Sequence, residues 1–151
     1  MRWMLLVPLL VGASTVVQGG LNAWVSERWG LASTVVLNNA AIFVMSLVLW
    51  AGVAAAPGMF PSFFADKGAW GDLRWWWFVP ALAGLIIVGG IPWAFARLGA
   101  LQVVVAIVAA QVIGGLLWDA LVVGEPVQWM RVGGAVLTLG GVVLASWPTG
   151  E

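Results

Sequence analysis

Long stretches without a charged residue constrain this sequence more than any other feature. The five longest, residues 3–26, 29–65, 75–96, 98–118 and 132–150, contain between 19 and 37 residues each. A helix needs about 20 apolar residues to cross the hydrocarbon core of a bilayer. Only 8% of the residues are charged and 63% are hydrophobic, whereas a soluble domain carries roughly 25% charged residues. The sequence therefore predicts an integral membrane protein.

We predict five transmembrane helices, one in each stretch. The longest stretch holds only one helix, because Pro57, Gly58 and Pro61 interrupt it. The connection 57–74 has room for an interfacial segment but not for a second domain. We therefore expect an all-α, polytopic membrane protein with a single membrane domain over residues 1–151. Its predicted helices are about 3–26, 31–56, 75–96, 99–123 and 127–147.

The tryptophan positions agree with these helices. Tryptophan prefers the membrane–water interface, because its ring is apolar while its N–H group needs a hydrogen-bond partner. All 12 tryptophans lie toward a predicted helix end or in a connection, and none lies at a helix centre. A cleaved signal peptide is the competing interpretation of the first stretch. Apolar residues continue at Val16 and Val17, which favours a membrane span.

The residue types that are missing exclude several kinds of site. The sequence has no cysteine, histidine or tyrosine, which excludes disulfides, thiolate or imidazole metal sites and cysteine or serine–histidine nucleophiles. Six basic residues balance six acidic ones, so there is no basic surface for nucleic acid. The acidic residues form no paired motif. We expect no cofactor, no metal site and no enzymatic activity.

Polar side chains within the predicted helices form the candidate site. Gln18 and Asn22 lie four residues apart on one face of the first helix. Amides in a bilayer need partners, so they either bond between helices or line a cavity for a solute with donors and acceptors. We favour the cavity, and Trp93 is either a wall or gate of it or one of the interfacial tryptophans. The candidate substrate-binding residues are Gln18, Asn22, Asn38, Asn39, Gln111 and Trp93.

Asp119 is the one carboxylate well inside a predicted helix. It lies near a helix C-terminus, where the helix dipole disfavours negative charge. Arg131 begins the next helix on the same side of the membrane. Asp119 is therefore either the partner of Arg131 in an ion pair or a titrating group that couples proton movement to substrate movement.

Small residues line one face of the fifth predicted helix at spacings of four, three and four. Such residues allow two helices to approach closely, so this face is the predicted dimer interface. We call it the small-residue face. Its members are Gly134, Thr138, Gly141 and Ala145.

The distribution of basic residues defines only a weak orientation. With five spans, four basic residues lie on the N-terminal side of the membrane and two on the other. Two copies of an odd-helix chain in opposite orientations would form an inverted repeat. We therefore predict an antiparallel homodimer, or a pair with an inverted homologue. The basic residues on the N-terminal side are Arg2, Lys67, Arg74 and Arg131, and those on the other side are Arg28 and Arg97.

Three segments resemble a known family. VVQGGLNA at 16–23 and AQVIGGLLWD at 110–119 resemble the five-helix, half-size bacterial branch of the drug/metabolite transporter superfamily. RVGG at 131–134, with its seven-residue glycine-pair repeat, is similar to terminal helices across that superfamily, including the small multidrug resistance proteins. The resemblance covers the whole chain in length, helix count and helix order. It implies a multi-pass protein of the bacterial inner membrane that works as an antiparallel dimer or pair.

The resemblance and the polar residues together predict a transporter. We expect it to move a polar or amphipathic small molecule by alternating access. A non-transport accessory or assembly subunit is the alternative, and stable pairing with a different polypeptide would distinguish it. Small multidrug resistance exporters couple to protons through a glutamate buried in the first helix, whereas the first predicted helix here has no carboxylate. Proton-coupled export of cations by their mechanism is therefore not expected.

Overall fold

The apolar stretches of the chain are helical. The structure is a computed structural model that describes residues 2–65, 71, 73–126, 128–145 and 147. These residues contain five α-helices and no β-strand. The all-α, five-helix prediction is confirmed. The helices are α1 (Leu6–Trp29), α2 (Leu31–Ala55), α3 (Val79–Leu98), α4 (Ala100–Trp118) and α5 (Trp129–Ala145).

Four helical segments are long and apolar enough to cross a membrane. α1 and α2 reach that length alone. A 3-10 turn, Trp75–Phe78, lengthens α3 at its start, and a π-helical turn, Asp119–Val123, lengthens α4 at its end. α5 is apolar but has only 17 residues. It is about 26 Å long at 1.5 Å per residue, near the lower limit for a bilayer.

Some helix ends differ from the predicted ones. α1 continues to Trp29 rather than ending near residue 26, so that Glu27 and Arg28 lie in its last turn. A charged pair ends an apolar run, but it does not interrupt backbone hydrogen bonding. α5 lies within its predicted range, and residues 127 and 146 are outside the described part of the chain.

The connection after α2 begins with two 3-10 turns, Pro57–Met59 and Ser62–Phe64. Residues 66–70 and 72, which include Lys67 and Trp70, lie outside the described residues. The predicted interfacial role of this connection stays a prediction.

Single glycines join two pairs of consecutive helices. Gly30 links α1 to α2 with φ 79° and ψ 153°, and Gly99 links α3 to α4 with φ 80° and ψ 155°. This region of backbone space is essentially confined to glycine. The N–H of Gly30 donates to the Ser26 carbonyl over 3.0 Å, and its own carbonyl accepts the Thr34 N–H over 3.1 Å. The chain therefore turns while these backbone groups stay paired, as a bilayer requires.

Few side chains are buried within the chain. Thr34 is 2% exposed and Val103 is 5% exposed. By contrast, large apolar residues along every helix are exposed, among them Leu10, Met45 and Ile86. Extended apolar surfaces of this kind are not stable in water. They fit lipid or the surface of another chain.

The chain divides into two compact units. One unit is Val17–Trp93, and the other combines Met1–Val16 with Ala94–Glu151. In the first unit, a Cβ atom placed on Gly89 would lie 3.6 Å from Cγ2 of Val35, so α3 comes close to α2 there. In the second, α5 packs against α4. The single domain over 1–151 stays a prediction.

We expect Gly30→Ala and Gly99→Ala each to lower the free energy of unfolding by about 1–3 kcal/mol, because alanine is strained at these dihedral angles. Thermal unfolding of the purified protein in detergent measures this. Gly12→Ala is the matched control, since Gly12 has no positive φ and a Cβ there meets no atom within 4 Å. Equal destabilisation by all three substitutions would contradict the expectation.

Candidate functional site

Three amide side chains meet between α1 and α2. Gln18 and Asn22 lie four residues apart on α1, so they face the same side of that helix. Nε2 of Gln18 donates to Oδ1 of Asn38 over 3.2 Å, and Nδ2 of Asn22 donates to the same oxygen over 3.3 Å. All three residues are partly buried and belong to the unit Val17–Trp93. We call them the amide cluster.

The amide cluster contains an unused hydrogen-bond donor. Nδ2 of Asn38 is buried and has no partner among the described residues. A buried donor without a partner costs about 1–3 kcal/mol. Gln18 is near the middle of α1, so the cluster lies well inside the span, where bulk water is absent. Asn38 therefore stands out among the described residues because its buried donor lacks a partner.

The other predicted binding residues have different surroundings. Asn39 is exposed, and it points about 100° around the helix from Asn38. Gln111 is an exposed residue of α4 and belongs to the other unit. Trp93 is 50% exposed and follows the buried Pro92 in α3. The structure thus brings Gln18, Asn22 and Asn38 together, and the roles of the other three stay predictions.

The small-residue face of α5 is open within the chain. A Cβ atom added to Gly134 or to Gly141 would meet no heavy atom within 4 Å. The hydroxyl of Thr138 donates to the Gly134 carbonyl over 2.9 Å, so it is bonded within its own helix. The buried residue of α5 is Ala135, which is 7% exposed. At 100° per residue, Ala135 points well away from Gly134 and Gly141.

A charged cluster joins the end of α4 to the start of α5. Nη1 of Arg131 lies 2.7 Å from Oε2 of Glu125 and 3.4 Å from Oδ2 of Asp119. All three side chains are 46% exposed. They line a cavity of about 50 Å³ together with five neighbours: Leu116, Ala120, Pro126, Gln128 and Val132. We call the three charged residues the charged cluster.

Local backbone geometry assembles the charged cluster. The π-helical turn Asp119–Val123 ends at Gly124, which is left-handed with φ 76° and ψ 19°. The N–H of Glu125 then donates to the Asp119 carbonyl over 2.9 Å. This bond closes the turn and sets the two carboxylates on the same side as Arg131. Non-helical hydrogen bonding at this helix end therefore creates the three-residue arrangement.

Comparison with known families shows which family the chain belongs to. A family model described as "Putative inner membrane exporter, YdcZ" matches residues 3–144. The chain belongs to this family. Searches of curated proteins and of solved structures gave no match.

The YdcZ family is of the drug/metabolite transporter type, which confirms the resemblance seen in the sequence. Its description supports a membrane transporter rather than an enzyme. The inner-membrane, multi-pass location is confirmed by the family and by the apolar helices.

Sequence reasoning missed two features of this YdcZ-family chain. The first is that Glu125 lies closer to Arg131 than Asp119 does. Its position in the connection beside Gly124 could have marked it as a second candidate partner of Arg131. The unpaired Nδ2 of Asn38 depends on which amide atoms face each other. No pattern in the sequence contains that information.

We expect Glu125→Gln to lower thermal stability more than Asp119→Asn, because the Arg131–Glu125 contact is the shorter one. Each loss should stay within about 1 kcal/mol, since partly exposed ion pairs contribute little. Arg131→Gln removes both contacts and should have the largest effect. Unfolding midpoints of the three variants in detergent measure the order.

The same variants test the coupling hypothesis for Asp119. A coupling carboxylate predicts that Asp119→Asn keeps wild-type stability and substrate equilibration but loses any response of flux to a pH gradient. Wild-type flux that does not respond to a pH gradient would leave Asp119 with a structural role only.

Proposed function

We propose that this chain is half of a transporter that moves a polar or amphipathic small molecule by alternating access. The family description supports transport across the inner membrane and favours export. The proposed partners are the lipid bilayer, the small-molecule substrate and a second copy in the opposite orientation, or an inverted homologue. The amide cluster is the proposed substrate site.

One observation carries the proposal: a neutral polar cluster lies inside the membrane span with one donor unpaired. Amides that only held helices together would pair their buried donors, since a bilayer offers no water to replace a partner. Asn38 leaves one donor over. Asn39, Gln111 and Trp93 stay proposed substrate-binding residues of the transporter.

The antiparallel pairing rests on separate observations. With five helices, four basic residues lie on one side of the membrane and two on the other. This difference is too small to give one chain a strong preference for either orientation. The small-residue face of α5 has room for a second helix at Gly134 and Gly141. Close approach of backbones at such faces drives helix association in membranes. Two inverted copies would give ten helices and an inverted repeat.

We expect Gln18→Leu to abolish transport while insertion and dimer yield stay near wild type. Leucine suits the bilayer better than glutamine, and Oδ1 of Asn38 keeps the bond from Asn22. Solute counterflow in proteoliposomes measures the loss. Gln102→Leu makes the same change on an exposed position of α4 outside the amide cluster and should leave counterflow intact. Unchanged flux in Gln18→Leu would reduce Gln18 to a packing residue.

We expect Gly141→Leu to weaken pairing without unfolding the chain, because leucine has room within one chain but blocks a second helix. Crosslinking yield in membranes measures the pairing. Val143→Leu also adds bulk, but at a 56% exposed position almost opposite Gly141 around α5, and should have no effect.

A cysteine tag at the C-terminus should react from both sides of the membrane. Reaction from one side only, with no inverted homologue in the cell, would contradict the antiparallel pair.

A further inference from the structure

We propose that Nδ2 of Asn38 donates a hydrogen bond to the transported molecule, and that this molecule is uncharged and carries an acceptor such as a carbonyl, ether or hydroxyl oxygen. This inference rests on the proposed function. It specifies the class of substrate that the amide cluster selects.

The bonding within the amide cluster defines which kind of ligand group, donor or acceptor, Asn38 can bind. Oδ1 of Asn38 accepts from both Gln18 and Asn22, so the acceptor of Asn38 is used within the protein. Its Nδ2 group carries two N–H donors and has no partner. A ligand that completes the cluster must therefore present an acceptor to Asn38.

A cation does not fit this arrangement. The N–H groups of Asn38 present the positive end of the amide dipole, which repels a positive ligand. α1 and α2 contain a single carboxylate, Glu27, in the last turn of α1. It lies five residues beyond Asn22, about 7.5 Å along the helix at 1.5 Å per residue. Neither α1 nor α2 places a negative charge beside Asn38 to offset the cost of removing a cation from water.

An anion is disfavoured for the converse reason. The one basic residue of α1 and α2 is Arg28, also in the last turn of α1. Its guanidinium carbon lies over the ring of Trp24, 4.1 Å from the centroid. That contact stabilises Arg28 at the helix end rather than beside Asn38. An anion at the cluster would therefore lack a counter-charge in a low-dielectric site. A neutral acceptor is the remaining class.

The burial of Nδ2 adds a conformational requirement. In this structure, Nδ2 of Asn38 is buried by the protein itself, so we infer that the amide cluster is closed to an incoming acceptor in this conformation. An acceptor reaches Asn38 only after the surrounding side chains have moved apart. Opening then replaces an unpaired donor with a paired one, and substrate binding stabilises the open conformation. The substrate would then bind the open conformation more tightly than the closed one, and this difference in affinity shifts the population toward the open conformation.

Solute counterflow in proteoliposomes of the full chain tests the substrate class. The uncharged panel is erythritol, N-acetylglycinamide and tetramethylurea, and the cationic panel is choline, guanidinium and tetraethylammonium. We expect wild type to exchange members of the uncharged panel and none of the cations. Exchange of cations but not of uncharged solutes would overturn the inference and leave the proposed transporter standing. No exchange of any solute would count against the proposed function itself.

Asn38→Asp tests the donor with almost no change in size. The carboxylate still accepts from Gln18 and Asn22, but it replaces the NH₂ group with oxygen. We expect exchange of uncharged solutes to fall about tenfold, the equivalent of one hydrogen bond, and cation exchange to appear. Asn38→Thr, which keeps a hydroxyl donor, should retain part of the uncharged exchange. Unchanged exchange of uncharged solutes in Asn38→Asp would overturn the role of Asn38.

Gln102→Glu is the matched control for charge, because it makes the same amide-to-carboxylate change outside the amide cluster. Its exchange of both panels should equal that of wild type. Cation exchange in this control at the level of Asn38→Asp would mean that selectivity follows total charge, and this would overturn the site-specific inference. If Asn38→Asp does not fold, the wild-type panels and Asn38→Thr still decide.

Discussion

The absence of water from the bilayer interior is the constraint on which the rest of this structure depends. A polar group there must find its partner within the protein, or leave a bond unmade. The backbone meets this requirement through the hydrogen bonds within each helix, and at the helix ends joined by Gly30 these bonds continue on both sides of the turn. The side chains of Gln18 and Asn22 meet it by sharing the single oxygen of Asn38. One donor of Asn38 is left over, and the substrate site proposed for the amide cluster rests on this unmade bond.

Charge and polarity are separated along the helices. The charged cluster of Asp119, Glu125 and Arg131 lies at a helix end. Its side chains are partly exposed there, which lowers the cost of desolvating ionised groups. The amide cluster lies near the middle of α1 and carries no net charge. This separation distinguishes the chain from exporters that hold a buried glutamate in their first helix. It favours selection of the solute by hydrogen bonding over selection by charge.

The sequence predicted the fold well because the bilayer enforces a simple rule: apolar runs of sufficient length become helices. The connections between α1 and α2 and between α3 and α4 were predicted at 27–30 and 97–98, where charged residues end each apolar run, whereas the structure shortens them to Gly30 and Gly99. The end of α1 was misplaced, because Glu27 and Arg28 end the apolar run without ending the helix. Within the candidate site, the spacing of Gln18 and Asn22 predicted a shared face. The partner on α2 was not predicted. Asn38 and Asn39 were both candidate binding residues, and which of them faces α1 depends on packing that no local pattern encodes.

Access of water to the amide cluster tests alternating access most directly. The chain contains no cysteine, so a single Asn22→Cys substitution provides a unique thiol, which reacts as thiolate and therefore needs water. Val17→Cys, at a 60% exposed position of the same helix, provides a lipid-facing control. Alternating access predicts that a membrane-impermeant thiol reagent labels Asn22→Cys in native membranes, and that Val17→Cys stays unlabelled. An Asn22→Cys thiol as unreactive as the Val17→Cys thiol would contradict a substrate pathway through the amide cluster.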